Sequence, residues 1–140
     1  MTEEIIEFEL GDVDLLSGQT LKSAILVAKS WGQLSAARDN VIVLPTYYTG
    51  THDGYAPLVG PGNVFDTNDY FVISPNLFGN GLSTSPSNSV DSVSGPYFPT
   101  VDIYDNVICH ADMEPLYYIF YREKKYPMIL KLLLTNYYGF

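Results

Sequence analysis

Two short stretches hold the residue types that could bind and orient a ligand. Val41 to Leu44 is an apolar run that breaks at Pro45 into Thr46-Tyr47-Tyr48-Thr49-Gly50-Thr51-His52. Tyr70 to Ser74 is a second run, broken at Pro75 and followed by Asn76-Leu77-Phe78-Gly79-Asn80-Gly81-Leu82-Ser83. Two buried strands that each feed a glycine-containing loop at the C-terminal end are how open α/β sheets build ligand sites. Glycine serves such loops where φ is positive or where backbones approach closely. Other chemistry has little support. Asp53, Asp66 and Asp69 flank loops without calcium-loop spacing, and no dinucleotide or phosphate-loop glycine motif is present. His52 and His110 are too far apart in sequence to suggest a metal pair. The single cysteine, Cys109, excludes an intramolecular disulfide and a multi-cysteine zinc site, and reads as a small core residue of a helix. No cofactor and no metal are expected.

The elements that must position these loops can be read from periodicity. Residues 3–16 place Ile5, Ile6, Phe8 and Leu10, then Val13, Leu15 and Leu16, among acidic residues, as in an antiparallel edge strand. Ser17-Gly18-Gln19 reads as a turn. Leu21 to Trp31 suits the second strand of a hairpin, although Leu21, Ala24, Ile25 and Ala28 also fit a helical face. Residues 32–40 form a polar connection. Val41 to Leu44 is expected to be a central strand buried on both faces. A short helix is expected over Tyr55 to Gly60, then a central strand over Tyr70 to Ser74. Residues 79–99, rich in Gly, Ser, Pro and Asn, read as a long surface loop. Val101 to Met113 can form a helix, with Pro99 and Asp102 at its start and Val101, Tyr104, Val107, Ile108 and Ala111 on its apolar side.

Composition bounds the function. The chain has 140 residues, 46% of them hydrophobic, which suits one globular domain. Its formal charge is −9, and an acidic surface argues against nucleic acid, which needs clustered Lys and Arg. No apolar stretch approaches the roughly 20 residues of a membrane helix. The start, Met1-Thr2-Glu3-Glu4, is acidic where a secretion signal is basic, so a cytoplasmic location is expected. Beyond about residue 112 the texture changes. Residues 1–120 hold 3 basic and 15 acidic side chains, whereas Arg122, Lys124, Lys125 and Lys131 face only Glu123 in the last 20 positions. Eight aromatic residues crowd the same region, from Tyr117 to Phe140. The boundary is set here, with residues 1–112 as the folded part and 113–140 as a divergent aromatic and basic tail. Such a tail fits sequence not selected for this fold, as after a frameshift, or a basic segment with an interaction role.

Across about residues 14–112, the order and spacing of several short motifs resemble one family. They are Leu16-Ser17-Gly18-Gln19-Thr20-Leu21, Ser30-Trp31-Gly32-Gln33-Leu34, the Pro45 to His52 loop, Asn76 through Asn88, Gly95-Pro96 with Phe98-Pro99, and Asp105-Asn106-Val107. The family is the homoserine O-acetyltransferase-like branch of the α/β-hydrolase superfamily. The resemblance implies an α/β fold: an N-terminal antiparallel hairpin plus the first parallel strands and helices of the hydrolase sheet. It implies acyl transfer or ester hydrolysis through a serine nucleophile, on a small acyl substrate. By resemblance, the backbone N–H of Tyr48 is one arm of an oxyanion hole, with Thr49 and Gly50 shaping the turn. Gly79, Asn80 and Gly81 shape the pocket. Asn76-Leu77-Phe78-Gly79-Asn80-Gly81 is similar to the hydrolase-like relatives rather than to authentic homoserine acetyltransferases, which often carry a Gly-Gly-Cys-type sequence there.

The superfamily places its nucleophile in Gly-x-Ser-x-Gly on a strand-to-helix turn, followed in the chain by an acid and then a histidine. None of the 140 residues forms that motif. Gly81-Leu82-Ser83-Thr84-Ser85 lacks the second glycine, and His52 and His110 precede the place where the nucleophile would stand. His52 is therefore expected to be a loop residue near the pocket mouth and His110 a helix residue. The expectation is an inactive truncated or frameshifted family fragment with no catalytic triad. The alternative is a non-catalytic interaction module, or a half-protein that pairs with a separately encoded C-terminal half or with itself.

Overall fold

The computed structural model describes residues 2–111; the expectations for the tail and its boundary lie outside the described residues. Strand β1 (Glu3–Asp14) and strand β2 (Thr20–Trp31) form a long antiparallel hairpin with Phe8 opposite Leu26 and Glu3 opposite Trp31. The turn closes through the Gly18 N–H on the Leu15 carbonyl and the Leu15 N–H on the Gln19 carbonyl, both 2.9 Å. Strand wins over helix for β2 because pairing on both sides satisfies its backbone, and Ser23, at φ 48, is incompatible with a helix interior. The register slips around Gly11, a bulge that Asp12 fastens by accepting from the Ser23 N–H at 3.0 Å and from Lys22 Nζ at 2.7 Å.

Strand β3 (Val41–Val43) runs parallel to strand β4 (Phe71–Pro75), and β4 pairs antiparallel with β2, so the four strands stand in the order β1-β2-β4-β3. Every residue of β4 is buried, as its unbroken apolar run predicts for a central strand. The expectation for β3 needs correction. Among the described residues it is the outer strand of the sheet, paired on one side only, and Val41 and Ile42 are half-buried. An apolar run reports that both faces will be covered; it does not report which neighbour lies beside it.

Two cores lie on the two faces of this sheet. Leu21, Ala24, Leu26, Ala28, Val43, Phe71 and Ile73 line one, and Trp31, Leu44, Val59 and Val72 line the other. The short helix expected over residues 55–60 is a 3-10 helix that begins three residues earlier, over His52–Leu58. Pro57 lies inside it and removes a backbone donor that a longer helix would need.

Helix α1 (Ile103–Ala111) covers the first core through Cys109. It opens with a reciprocal cap. Asp102 Oδ1 accepts from the Tyr104 and Asp105 N–H groups at 2.7 and 3.1 Å, and Asp105 Oδ2 accepts from the Asp102 N–H at 3.0 Å. Its inward face differs from the apolar side expected from periodicity. Asp105, Asn106, Cys109 and His110 point in, whereas Tyr104 and Ile108 are exposed. The inward polar groups have work there: Asp105 accepts from the Leu16 N–H and Asn106 from the Phe78 N–H, each at 2.8 Å. The helix is thus pinned to two loops that helical periodicity cannot see.

Candidate functional site

The loop leaving β3 and the loop leaving β4 lie side by side, joined at several points. The Thr46 N–H donates to the Pro75 carbonyl at 3.0 Å, and Thr46 Oγ1 accepts from the Leu77 N–H at 3.0 Å. Asn80 Nδ2 reaches the Gly50 carbonyl at 3.3 Å. The structure therefore brings together Gly50 and Asn80, two of the residues singled out by resemblance.

Between these anchors the first loop makes a tight turn, closed by the Gly50 N–H on the Tyr47 carbonyl at 2.9 Å. Thr49 occupies its third position with φ 66, where Gly or Asn is the usual occupant and a β-branched residue is strained. Tyr48 stands at the tip, 89% exposed, and no described residue accepts its N–H. The Tyr47 ring packs edge-on to Tyr55, centroids 5.9 Å apart; a Cβ on Gly50 would come within 2.5 Å of that ring, and one on Gly54 within 2.5 Å of its hydroxyl. Tyr55 Oη donates to the Pro45 carbonyl at 2.9 Å.

The second loop turns at Gly79 (φ 86) and Gly81 (φ 93), conformations that suit glycine, and a Cβ at either would meet open space. Beyond them it stops behaving as a surface loop. Ser83, Thr84 and Ser85 are buried. Ser83 Oγ accepts from the Val27 N–H at 3.0 Å and Thr84 Oγ1 from the Ile25 N–H at 2.7 Å. These side chains take over the hydrogen bonding of β2 where β4 ends, which corrects the expectation of a surface loop across 79–99. Ser83 also donates to the Asn76 carbonyl at 2.9 Å and is fully buried, so it is no exposed nucleophile.

His52 opens the 3-10 helix that follows the first loop, and its side chain is buried. It is 6% exposed, and burial lowers its pKa from the ordinary value, with nearby Asp53 opposing and Lys29 adding to that effect. Its Nδ1 faces Asn76 Nδ2 at 2.8 Å, and its N–H donates to Asn76 Oδ1 at 3.2 Å. Asn76 is the residue that sequence reasoning left without a role. It is fully buried, and its signal was only a polar residue directly after a strand-ending proline. His110, on α1, is buried with Nε2 3.4 Å from the Asn76 carbonyl, and burial lowers its pKa to about 4. Among the described residues no group of three His, Cys, Asp or Glu side chains could hold a metal ion, and no helix is long and apolar enough to cross a membrane.

No family profile matches the chain. Relatives do. A protein of Corynebacterium glutamicum named "Probable esterase" is 38% identical over 101 residues, 71% of this chain and 29% of the relative. A homoserine O-acetyltransferase of Ascobolus immersus is 34% identical over 100 residues, 66% of this chain and 19% of the relative. The solved acetylester hydrolase of Corynebacterium glutamicum superposes with a TM-score of 0.75 at 32% identity, over 84% of this chain and 34% of that one. The chain belongs to the homoserine O-acetyltransferase-like branch of the α/β-hydrolases. It spans about three-tenths or less of the curated relatives it matches. The β1-β2-β4-β3 sheet and its two strand-exit loops are thus a part of an α/β-hydrolase fold.

Proposed function

We propose that this chain is a fragment of an acyl-transferring or ester-hydrolysing enzyme and does not catalyse that reaction by itself. The observation that carries the reading is the β3-exit loop of a hydrolase-like sheet, with Tyr48 exposed at its tip and no described acceptor for the Tyr48 N–H. In the whole enzyme this N–H would donate to the oxygen that turns negative when a serine attacks a small acyl substrate. One preorganised donor of this kind contributes about 2.7–4 kcal/mol in a well-studied case. Thr49 and Gly50 would shape the donor turn, and Gly79, Asn80 and Gly81 the pocket wall. The serine would form the acyl-enzyme, and the 140 residues hold no Gly-x-Ser-x-Gly to present one. The location proposed is cytoplasmic, without a nucleic-acid or membrane partner. The purified chain should hydrolyse p-nitrophenyl acetate no faster than buffer and albumin controls; turnover above both would end the inactivity claim. Sequencing the gene through the codons for residues 105–140 and onward tests the family chemistry. A Gly-x-Ser-x-Gly in any frame, followed by a late Asp and His, supports it.

A second reading, a half-protein that pairs with a separately encoded C-terminal half, draws on the outer edge of β3. The Leu44 N–H donates to Ile73 and the Phe71 N–H to Asn40, so residues 40, 42 and 44 face β4. In a parallel ladder the peptide groups of Val41 and Val43 then face away, toward the side where no described strand pairs with β3. An edge without a partner invites another strand. A stable module should be soluble and melt cooperatively, whereas a stranded half-fold should aggregate or lose fixed tertiary packing.

A further inference from the structure

We propose that Asn76 is the positioning residue of the oxyanion loop, holding residues 50–52 to the sheet through His52 in its Nε2–H form. Its amide has four hydrogen-bonding places, and all four are filled. Nδ2 donates to the Val27 carbonyl at 2.8 Å and to His52 Nδ1 at 2.8 Å. Oδ1 accepts from the His52 N–H at 3.2 Å and from Asn80 Nδ2 at 2.9 Å, and Asn80 in turn holds the Gly50 carbonyl. Rotating the amide by half a turn would set oxygen against the Val27 carbonyl and NH2 against the His52 N–H, so its orientation is fixed by its surroundings. The tautomer follows. With an Asn76 N–H aimed at it, His52 Nδ1 must be the acceptor, and the ring proton sits on Nε2.

The clamp joins three elements. Val27 belongs to β2, Asn76 follows β4, and residues 50–52 lie beyond β3. Tyr48 and Thr49 stand clear of it and form the tip that carries the oxyanion donor. A rigid base under a strained tip is what a preorganised donor requires. The charged groups around the ring leave this arrangement in place. Asp53 Oδ1 is 3.6 Å from Nε2, on the far side of the ring from Asn76, and Lys29, paired with Asp53 and Glu3, lies beyond. His110 meets the Asn76 backbone carbonyl and not its amide. The link to acyl chemistry rests on the reading above; the clamp itself does not.

The test is nitrogen NMR on the full chain with labelled His and Asn at pH 7. His52 should show an unprotonated Nδ1 and a protonated Nε2, with a coupling through the hydrogen bond between Asn76 Nδ2 and His52 Nδ1. In Asn76→Asp, His52 should gain a proton on Nδ1, with its titration midpoint raised at least one unit, a tenfold gain in proton affinity. The Gly50 and His52 amides should exchange at least tenfold faster, with Phe8 and Leu26 in the hairpin changing less. A wild-type His52 protonated on Nδ1 would overturn the proposal, as would an Asn76→Asp chain whose His52 signals are unmoved. If Asn76→Asp fails to fold, the wild-type tautomer and coupling still decide, and solid-state spectra read both from a precipitate. The esterase assay moves with none of these results, so a failed clamp and a failed acyl reading are told apart.

Discussion

Gly32 shows how a single residue can be required for reasons its neighbours in sequence do not reveal. It has φ 81, and a Cβ there would lie 2.4 Å from the Tyr70 carbonyl and 3.2 Å from that of Thr67. Both contacts are backbone, so neither can move aside cheaply. Gly32→Ala should cost about 1–3 kcal/mol in urea denaturation, the range of strained or overpacked sites. Legibility at this scale was uneven. Gly79 and Gly81 were readable as turn residues because positive φ is a local property. The burial of His52 and the role of Asn76 were not, because both depend on atoms that only folding brings near.

Helix α1 is the element whose existence was legible and whose orientation was not. Asp102 marks its start by a local rule, since an acidic cap and a second acid three residues on satisfy the first free N–H groups. The face that points inward is set by Leu16 and Phe78, far away in sequence, whose N–H groups need Asp105 and Asn106. Asp102→Ala should cost about 1 kcal/mol, the usual loss for an N-cap. Asp105→Ala should cost more, about 2–3 kcal/mol, because it leaves the Leu16 N–H as well as the Asp102 N–H without an acceptor. Paired denaturation curves check the order, and an equal loss would mean that the contact to Leu16 contributes little.

For the whole molecule, two buried neutral histidines make stability depend on pH. Burial holds His110 at about 4 against an ordinary 6.5, and burial also lowers His52. The unfolded chain therefore takes up protons near pH 6.5 that the folded chain refuses until lower pH. Stability from these groups is present in full above pH 6.5 and is lost as the pH falls through their lowered folded values, about 4 for His110. For His110 the loss is on the order of 3 kcal/mol. Unfolding free energies measured from pH 7.5 to 4.5 should fall, and His110→Gln should flatten the curve; a wild-type curve flat across that window would contradict the buried neutral form.

What the sequence by itself determined is local or cumulative. The first strand, the turn after it, the buried β4, the helix start and the turn glycines follow from side-chain period and backbone preference, properties carried along the chain. The family followed too, because motif order survives where any one motif is weak. What only the tertiary structure decided is pairwise and long-range. It placed β3 at the outer position among the described strands, turned the polar side of α1 inward, drew Ser83 to Ser85 under β2, and set Asn76 against His52. The physical reason is the same each time. A buried polar group must find a partner, and that partner is a neighbour in space that sequence spacing does not name.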